Sequence, residues 1–152
     1  MLLVRLTLAA AALSAGITTV AAKDIPPGDV AFVDGKVTEA LSDAPASAAD
    51  GRKFFADRKL GNCLACHANA DMSEQLFHGE VGPPLDGVAE RWTLEELRAI
   101  VANSKAVFGE QTVMPGFYSL EAGKNVAKNY QGKTILTAEQ VESIVAYLAT
   151  LK

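Results

Sequence analysis

The chain has 152 residues, of which 49% are hydrophobic and 21% are charged, and it carries two cysteines and a formal charge of −4. This length predicts one globular domain, and the high apolar content with low net charge excludes a disordered chain. Two cysteines form one bridge at most, which excludes a scaffold held by several disulfides. The acidic balance argues against nucleic acid or anionic lipid as partner, since both are bound mainly through Lys and Arg.

Residues 1–22 have the pattern of a cleaved secretory signal peptide. Arg5 precedes an apolar run from Leu6 to Val20, and small residues stand before a cleavage point near Ala22–Lys23. A membrane anchor is the alternative, but the run is rich in Ala, Ser, Thr and Gly, whereas a span needs about 20 strongly apolar residues. We therefore expect export to the periplasm and no membrane anchor after cleavage.

Residues 23–46 are predicted to form an extended arm and linker, because they contain three prolines and no sustained hydrophobic period. The apolar group Val30, Phe32, Val33 and Val37 is larger than a free tail requires. We expect the arm to lie on the domain or on another subunit. A mobile tail is the alternative.

Residues 47–152 contain three helix starts of the capping-box type, in which a Ser or Thr is followed three positions later by an acid or Gln. The pattern predicts an all-α domain with long loops at 68–92 and 105–136. Loops of this length in a small domain usually carry function. The three pairs are Ser47 with Asp50, Thr93 with Glu96 and Thr137 with Gln140, and Gly61 is expected to stop the first helix after Leu60.

Both cysteines and one of the two histidines form a single motif, Cys63-Leu64-Ala65-Cys66-His67. The C-x-x-C-H spacing is typical of c-type haem attachment. Two thiols on one helical turn can each form a thioether with a haem vinyl group, and the next residue presents an imidazole to the iron. The motif therefore predicts one covalent haem c, attached at Cys63 and Cys66 with His67 as an axial ligand.

Three other interpretations of these residues remain. A C-x-x-C pair can be a thioredoxin-like dithiol, but that needs a βαβ setting that the sequence lacks. Cys63, Cys66, His67 and His78 supply enough ligands for zinc, although their order fits no usual zinc pattern. A structural disulfide explains the two cysteines and leaves His67 unexplained.

A second axial ligand is predicted at Met114, in the segment Met114-Pro115-Gly116. Proline favours extended backbone before it, and glycine permits close approach. A neutral thioether favours ferrous iron and raises the reduction potential relative to two histidines. Met72 is too close to His67 in the chain to reach the opposite face, His78 is the rival ligand, and a core position is the alternative for Met114.

A ligating histidine usually donates its other ring N–H to an acceptor, which fixes its orientation. The carbonyl of Pro83, in Gly82-Pro83-Pro84-Leu85, is the candidate acceptor for His67, with an ordinary turn as the alternative. Arg91 and Trp92 are candidates for covering the haem edge or binding a propionate. We expect Trp92 to be core.

These residues resemble a class I cytochrome c over most of 48–152, which implies a fold of three or more helices around one haem with an extended N-terminal arm. A glycine at position 51 would let the first and last helices approach closely. The matching parts are Gly51 and Phe55, the C-x-x-C-H motif, the loop from Gly82 to Leu85, Met114-Pro115, and Ile144 with Tyr147.

The chain is more narrowly similar to the SoxX family, through the segments Gly61–His67, Phe77–Pro83, Ser104–Tyr118 and Gly132–Ala138. This resemblance implies Cys63 and Cys66 as attachment points and His67 and Met114 as axial ligands. It also implies a stable complex with a SoxA-type haem subunit. The resemblance implies that the two subunits together form an L-cysteine S-thiosulfotransferase, which transfers thiosulfate oxidatively to a cysteine of the carrier SoxYZ. The chain alone is not expected to be catalytic.

In that complex the chain would pass electrons to a downstream small cytochrome c. Both of its cysteines are used for haem attachment, so the sulfur chemistry must take place on a partner. A free periplasmic electron shuttle of a respiratory chain is the alternative, and the apolar arm favours the lasting complex over the short-lived contacts of a shuttle. A haem sensor or small enzyme with one weak axial ligand is a third possibility.

Overall fold

The computed structural model describes residues 22–121, 123 and 125–152. Across this part of the chain extended pairing is limited to two isolated bridges, and the all-α prediction is confirmed. No helix among the described residues is long and apolar enough to cross a membrane. The predicted signal peptide lies outside them apart from Ala22. The helices are α1 (Ala48–Ala56), α2 (Val88–Arg91), α3 (Leu94–Phe108) and α4 (Ala138–Leu148), with 3-10 turns at Pro27–Asp29, Cys63–Ala65 and Ala70–Met72.

Helices α1 and α4 cross in direct contact at Gly51. A Cβ atom at this position would overlap the carbonyl oxygen of Ser143 and lie 2.9 Å from the backbone nitrogen of Ile144. Phe55, one turn later, packs edge-on against Tyr147 with ring centroids 5.7 Å apart. Glycine is therefore required for the close approach that joins the two ends of the domain.

The capping boxes at Thr93 and Thr137 form as predicted, with both reciprocal hydrogen bonds present. The Ser47 hydroxyl caps α1 by accepting from the Asp50 N–H. The predicted end of this helix was wrong, because α1 stops at Ala56 and not at Leu60. The Asp57 carboxylate accepts from the Lys59 N–H at 2.8 Å, and this side chain to backbone bond competes with continuation of the helix.

The N-terminal arm, residues 23–46, packs on the same domain. Val37 and Leu41 are 2% and 0% exposed and belong to the hydrophobic core. The arm closes on itself through the Ile25 N–H and the Leu41 carbonyl, and the Tyr118 hydroxyl donates to the Ile25 carbonyl at 2.8 Å. Because its apolar residues are largely used within the chain, the arm does not by itself indicate a lasting interface with a second protein.

A buried ion pair between α3 and α4 anchors the arm. The Arg98 guanidinium donates to both carboxylate oxygens of Glu142, at 2.8 and 3.2 Å, and the side chains are 6% and 7% exposed. Arg98 also donates to the Val37 carbonyl, and the Glu142 carboxylate accepts from the Leu41 N–H, each at 2.8 Å. The pair therefore satisfies two backbone groups of the arm inside the core.

Candidate haem-binding site

The C-x-x-C-H motif forms one tight helical turn after α1. Asn62 has a left-handed backbone with φ of 48°, which redirects the chain into the 3-10 turn Cys63–Ala65. The N–H groups of Cys66 and His67 both donate to the Cys63 carbonyl, at 3.1 and 2.9 Å. Both cysteines are free and partly buried. Burial raises the pKa of the Cys63 thiol to about 12, so this sulfur is protonated at neutral pH until it reacts.

The His67 ring is fixed from two sides. Its Nδ1 lies 2.7 Å from the Pro83 carbonyl oxygen. Because a carbonyl can only accept, Nδ1 carries the proton, and the lone pair that can bind a metal is on Nε2. Gly82 lies against the ring, where a Cβ atom would be 2.7 Å from Nδ1 and 2.8 Å from Nε2. This is the tautomer and the support that a ligating histidine needs.

The loop that carries Pro83 runs alongside the C-x-x-C-H turn and is hydrogen-bonded to it. Gly79 and Gly82 both lie too close for a side chain, since a Cβ atom at Gly79 would overlap the Ala65 carbonyl. The pairing therefore depends on two glycines spaced along the loop. The three N–H to carbonyl bonds are Gly79 to Leu64 at 2.8 Å, Gly82 to Cys66 at 2.8 Å and Leu85 to Ala68 at 2.9 Å.

Arg91 supports the same loop from α2. Its guanidinium donates to the carbonyls of Pro84 and Asp86, at 2.8 and 2.6 Å. These contacts give Arg91 a role in holding the turn around Pro83. The prediction that Trp92 is core was wrong, because Trp92 is 36% exposed and packs edge-on against Phe108 at the surface.

His78 is held by backbone groups at both ring nitrogens. Nδ1 accepts from the Asn69 N–H at 3.2 Å, and Nε2 donates to the Met72 carbonyl at 3.1 Å. Each nitrogen therefore already has a partner in the loop that follows His67. Met72 is 1% exposed and belongs to the core. These contacts favour Met114 over both residues as the second ligand.

Met114 is partly buried and packs against the hydrophobic core. Phe117, three residues later, lies beside Gly61, where a Cβ atom would be 3.4 Å from the Phe117 ring and 3.2 Å from the Cys63 sulfur. The Met114 segment is thus brought to the same part of the core as the first cysteine of the motif. Lys105 steadies the preceding loop by donating to the Thr112 carbonyl at 2.8 Å.

Comparison with known proteins decides the family. A family model described as "Cytochrome c" matches residues 48–152. A chain in the crystal structure of SoxXA from P. pantotrophus is 39% identical and superposes with a TM-score of 0.78, and the match covers 86% of this chain and 99% of that one. The chain belongs to the cytochrome c family. Within it, the match to SoxXA confirms the predicted resemblance to SoxX.

Two other solved cytochromes are more distant. The c-type cytochrome SorU from Sinorhizobium meliloti is 29% identical, with a TM-score of 0.45, and the match covers 68% of this chain and 88% of the SorU chain. Ferric cytochrome c-550 from Paracoccus versutus is 23% identical, with a TM-score of 0.39, and the match covers 70% of this chain and 98% of the cytochrome c-550 chain. No curated protein matches the sequence.

As a cytochrome c of the SoxX type, the chain carries one covalently bound haem c, as predicted. The residues of the turn fit that group, since two partly buried free thiols stand on one turn beside an imidazole whose Nε2 lone pair is available. A zinc site is not supported, because no three His, Cys, Asp or Glu side chains converge on a metal position within the described residues. The thioredoxin-like alternative lacks its sheet in the same part of the chain.

The supporting roles of several residues of this cytochrome c were not predicted from the sequence. Gly79 and Arg91 hold the Pro83 loop, and His78 holds the stretch after His67, all through backbone groups. The spacing of Gly79 and Gly82 was a usable signal for a close approach. The roles of Arg91 and His78 depend on contacts made across loops, which no local pattern specifies.

Proposed function

We propose that the chain is the electron-transfer subunit of a SoxAX-type complex. The observation that carries this proposal is the match to the SoxXA chain, at 39% identity over 86% of this chain and 99% of that one. The matched share of this chain is larger than residues 47–152 alone, so the agreement extends beyond the haem domain. The proposed partner is a SoxA-type haem subunit, and the proposed electron acceptor is a small downstream cytochrome c.

The geometry above supports the following proposed roles at the site. Cys63 and Cys66 form the two thioether bonds, and His67 and Met114 are the axial ligands. The Pro83 carbonyl accepts the Nδ1 proton of His67 at 2.7 Å and so keeps Nε2 directed as a ligand. When bound, haem c supplies reversible one-electron redox chemistry. Ligands from His67 and Met114 would leave no position on the iron open for oxygen or peroxide.

The proposed reaction of the complex joins thiosulfate to a cysteine of the carrier protein SoxYZ. A new S–S bond forms between the cysteine sulfur and the outer sulfur of thiosulfate, the thiol proton leaves, and two electrons are released. This chain has two cysteines, and haem attachment uses both, so it retains no thiol for that step. Its proposed part in this L-cysteine S-thiosulfotransferase is to carry the two electrons away, one at a time.

Export to the periplasm is part of the proposal. The supporting feature is the leader-like sequence 1–22, with cleavage near Ala22–Lys23, followed by the arm 23–46 and the cytochrome domain 47–152. Covalent attachment suits an exported protein, because a cofactor held by contacts alone can be lost to the surroundings.

The test is reduction of the haem in a reconstituted complex. We expect the chain to co-purify with its SoxA-type partner, and thiosulfate to reduce its haem when partner and SoxYZ carrier are present. Carrier with its acceptor cysteine changed to serine is the matched control and should abolish the reduction. Elution of the chain alone, together with a haem that stays ferric in the full mixture, would contradict the proposal.

A free electron shuttle is the second candidate, and one observation favours it. The arm buries Val37 and Leu41 against its own domain, so these two apolar residues do not require a partner. Deleting the arm cannot separate the candidates, because it would expose that core. Co-purification does separate them, since a shuttle would elute alone and accept electrons equally well without a SoxA-type subunit.

A further inference from the structure

Helix α3 is broken at Asn103. Its backbone, at φ −153° and ψ 91°, is extended inside a helix that otherwise runs from Leu94 to Phe108. The Asn103 side-chain oxygen accepts from the Lys105 N–H at 3.2 Å, which caps the short helical piece after the break. In an unbroken helix the carbonyls of Val101 and Ala102 would accept from N–H groups four residues later. The break releases both carbonyls.

The released carbonyls bind the segment that follows Met114. The Phe117 N–H donates to the Val101 carbonyl at 3.3 Å, and the Tyr118 N–H donates to the Ala102 carbonyl at 2.9 Å. Gly116 makes this approach possible, because a Cβ atom there would lie 2.8 Å from the Asn103 side-chain oxygen. The break is thus the point at which the Met114 segment is attached to α3.

Ser104, the residue after the break, contacts the methionine segment directly. It is 0% exposed, and its hydroxyl donates to the Met114 carbonyl at 2.6 Å, with the Pro115 carbonyl 3.4 Å away. A buried carbonyl that loses its donor is costly, so this bond holds the backbone of Met114 in one position. The same bond restricts where the thioether of that residue can reach.

We propose that Ser104 is a positioning residue for the axial methionine, and that the break at Asn103 supports this role by binding the segment that follows Met114. This inference rests on the proposed assignment of Met114 as an iron ligand. It adds that the strength of the iron–sulfur bond is set partly by one hydroxyl behind the ligand. Loss of that hydroxyl lets Met114 leave the iron more often, without removing the thioether itself.

The test is titration of the ferric holoprotein with imidazole, which binds the iron only in molecules whose methionine has left it. Its apparent affinity therefore reports the fraction of molecules with Met114 displaced. A net hydrogen bond of ordinary strength predicts that Ser104→Ala raises the imidazole affinity roughly two- to twelvefold. The near-infrared charge-transfer band of methionine-ligated ferric haem should weaken, and the reduction potential should fall.

Ser143→Ala is the matched control. Ser143 is also a buried helical serine, 2% exposed, and its hydroxyl oxygen accepts from the Ser47 N–H at the α1–α4 contact. This variant should bind imidazole as the native protein does. If it matches Ser104→Ala, general destabilisation explains the effect and the proposal is wrong. If Ser104→Ala does not fold, Ser104→Cys keeps the volume with a weaker donor and should still raise the imidazole affinity.

Two further results would overturn the proposal. One is a Ser104 variant whose imidazole affinity, near-infrared band and potential all equal those of the native protein. The other is a Met114→Ala variant with an unchanged spectrum, which would remove the ligand assignment on which the proposal stands. Neither result bears on co-purification with a SoxA-type subunit, so failure here is distinguishable from failure of the proposed function.

Discussion

Replacing Arg98 with methionine tests the buried ion pair that anchors the arm. Methionine keeps most of the length of the side chain and removes its charge. The Glu142 carboxylate, 7% exposed, would then keep the Leu41 N–H as its remaining donor among those described, and the Val37 carbonyl would lose the guanidinium. A buried carboxylate without its cation is strongly unfavourable.

The expected loss follows from that geometry. Breaking one side of a buried pair costs about 3–5 kcal/mol in the free energy of unfolding. For a domain of this size each kcal/mol corresponds to about 2–4 °C, so the melting temperature should fall by roughly 6–20 °C. The double variant Arg98→Met/Glu142→Leu also removes the unpaired Glu142 carboxylate, so part of the lost stability should return. Recovery should be incomplete, because the Val37 carbonyl and Leu41 N–H still lack partners at about 1–3 kcal/mol each.

The assay is urea unfolding of the holoprotein, followed by far-ultraviolet circular dichroism for the native chain, both single variants and the double variant. The double-mutant cycle gives the coupling between the two side chains. A loss below about 1 kcal/mol for Arg98→Met would refute the reasoning, since that is the value of an exposed pair. Additive effects of the two single replacements would also refute it.

Three further results are expected. Gly82→Ala should displace the His67 ring and alter the optical spectrum of the holoprotein. Gly28→Ala, at a position with open space around it, should leave the spectrum unchanged. A Gly82→Ala spectrum equal to that of the native protein would contradict the close packing of Gly82 against His67. Gly51→Ala should lower the free energy of unfolding by about 1–3 kcal/mol, because the new methyl group forces the first and last helices apart, and an unchanged denaturation midpoint would count against the contact. Hydrogen bonds from the Tyr147 hydroxyl and, to a smaller extent, from Arg52 hold the pKa of Asp71 below its ordinary value of 3.8. The ionised carboxylate therefore stabilises the fold fully above pH 3.8, and this stabilisation is lost as the pH falls through the lowered pKa. Asp71→Asn should therefore flatten the acid limb of the stability profile, and an unaltered limb would show that this carboxylate does not contribute.

The features that could be predicted are those that the sequence specifies locally. The C-x-x-C-H motif and the helix starts at Thr93 and Thr137 each depend on a few neighbouring residues with one dominant structural use. The Gly51 contact was predicted through the resemblance to a class I cytochrome c, and the structure shows it. The Pro83 carbonyl oxygen lies 2.7 Å from Nδ1 of His67, although its role in supporting an iron ligand stays a prediction.

The features that escaped prediction depend on contacts between distant segments. The break in α3 at Asn103 was not predicted. The carbonyls before it bind the N–H groups of Phe117 and Tyr118 in a distant segment, and the Asn103 side chain caps the helical piece that follows. Arg98 and Glu142 resemble surface charges until the arm is folded over them. Whether the arm packs on its own domain or on a partner could not be decided from composition, since both require the same apolar residues.

The most direct test of the account is the intact mass of the purified protein under denaturing conditions, after extraction of any haem that is not covalently bound. We predict a mass equal to the polypeptide plus one haem, and the bare polypeptide mass when Cys63 and Cys66 are both replaced by alanine. A native chain that weighs no more than its amino acids, produced in cells that mature other c-type cytochromes, would contradict the account at its foundation.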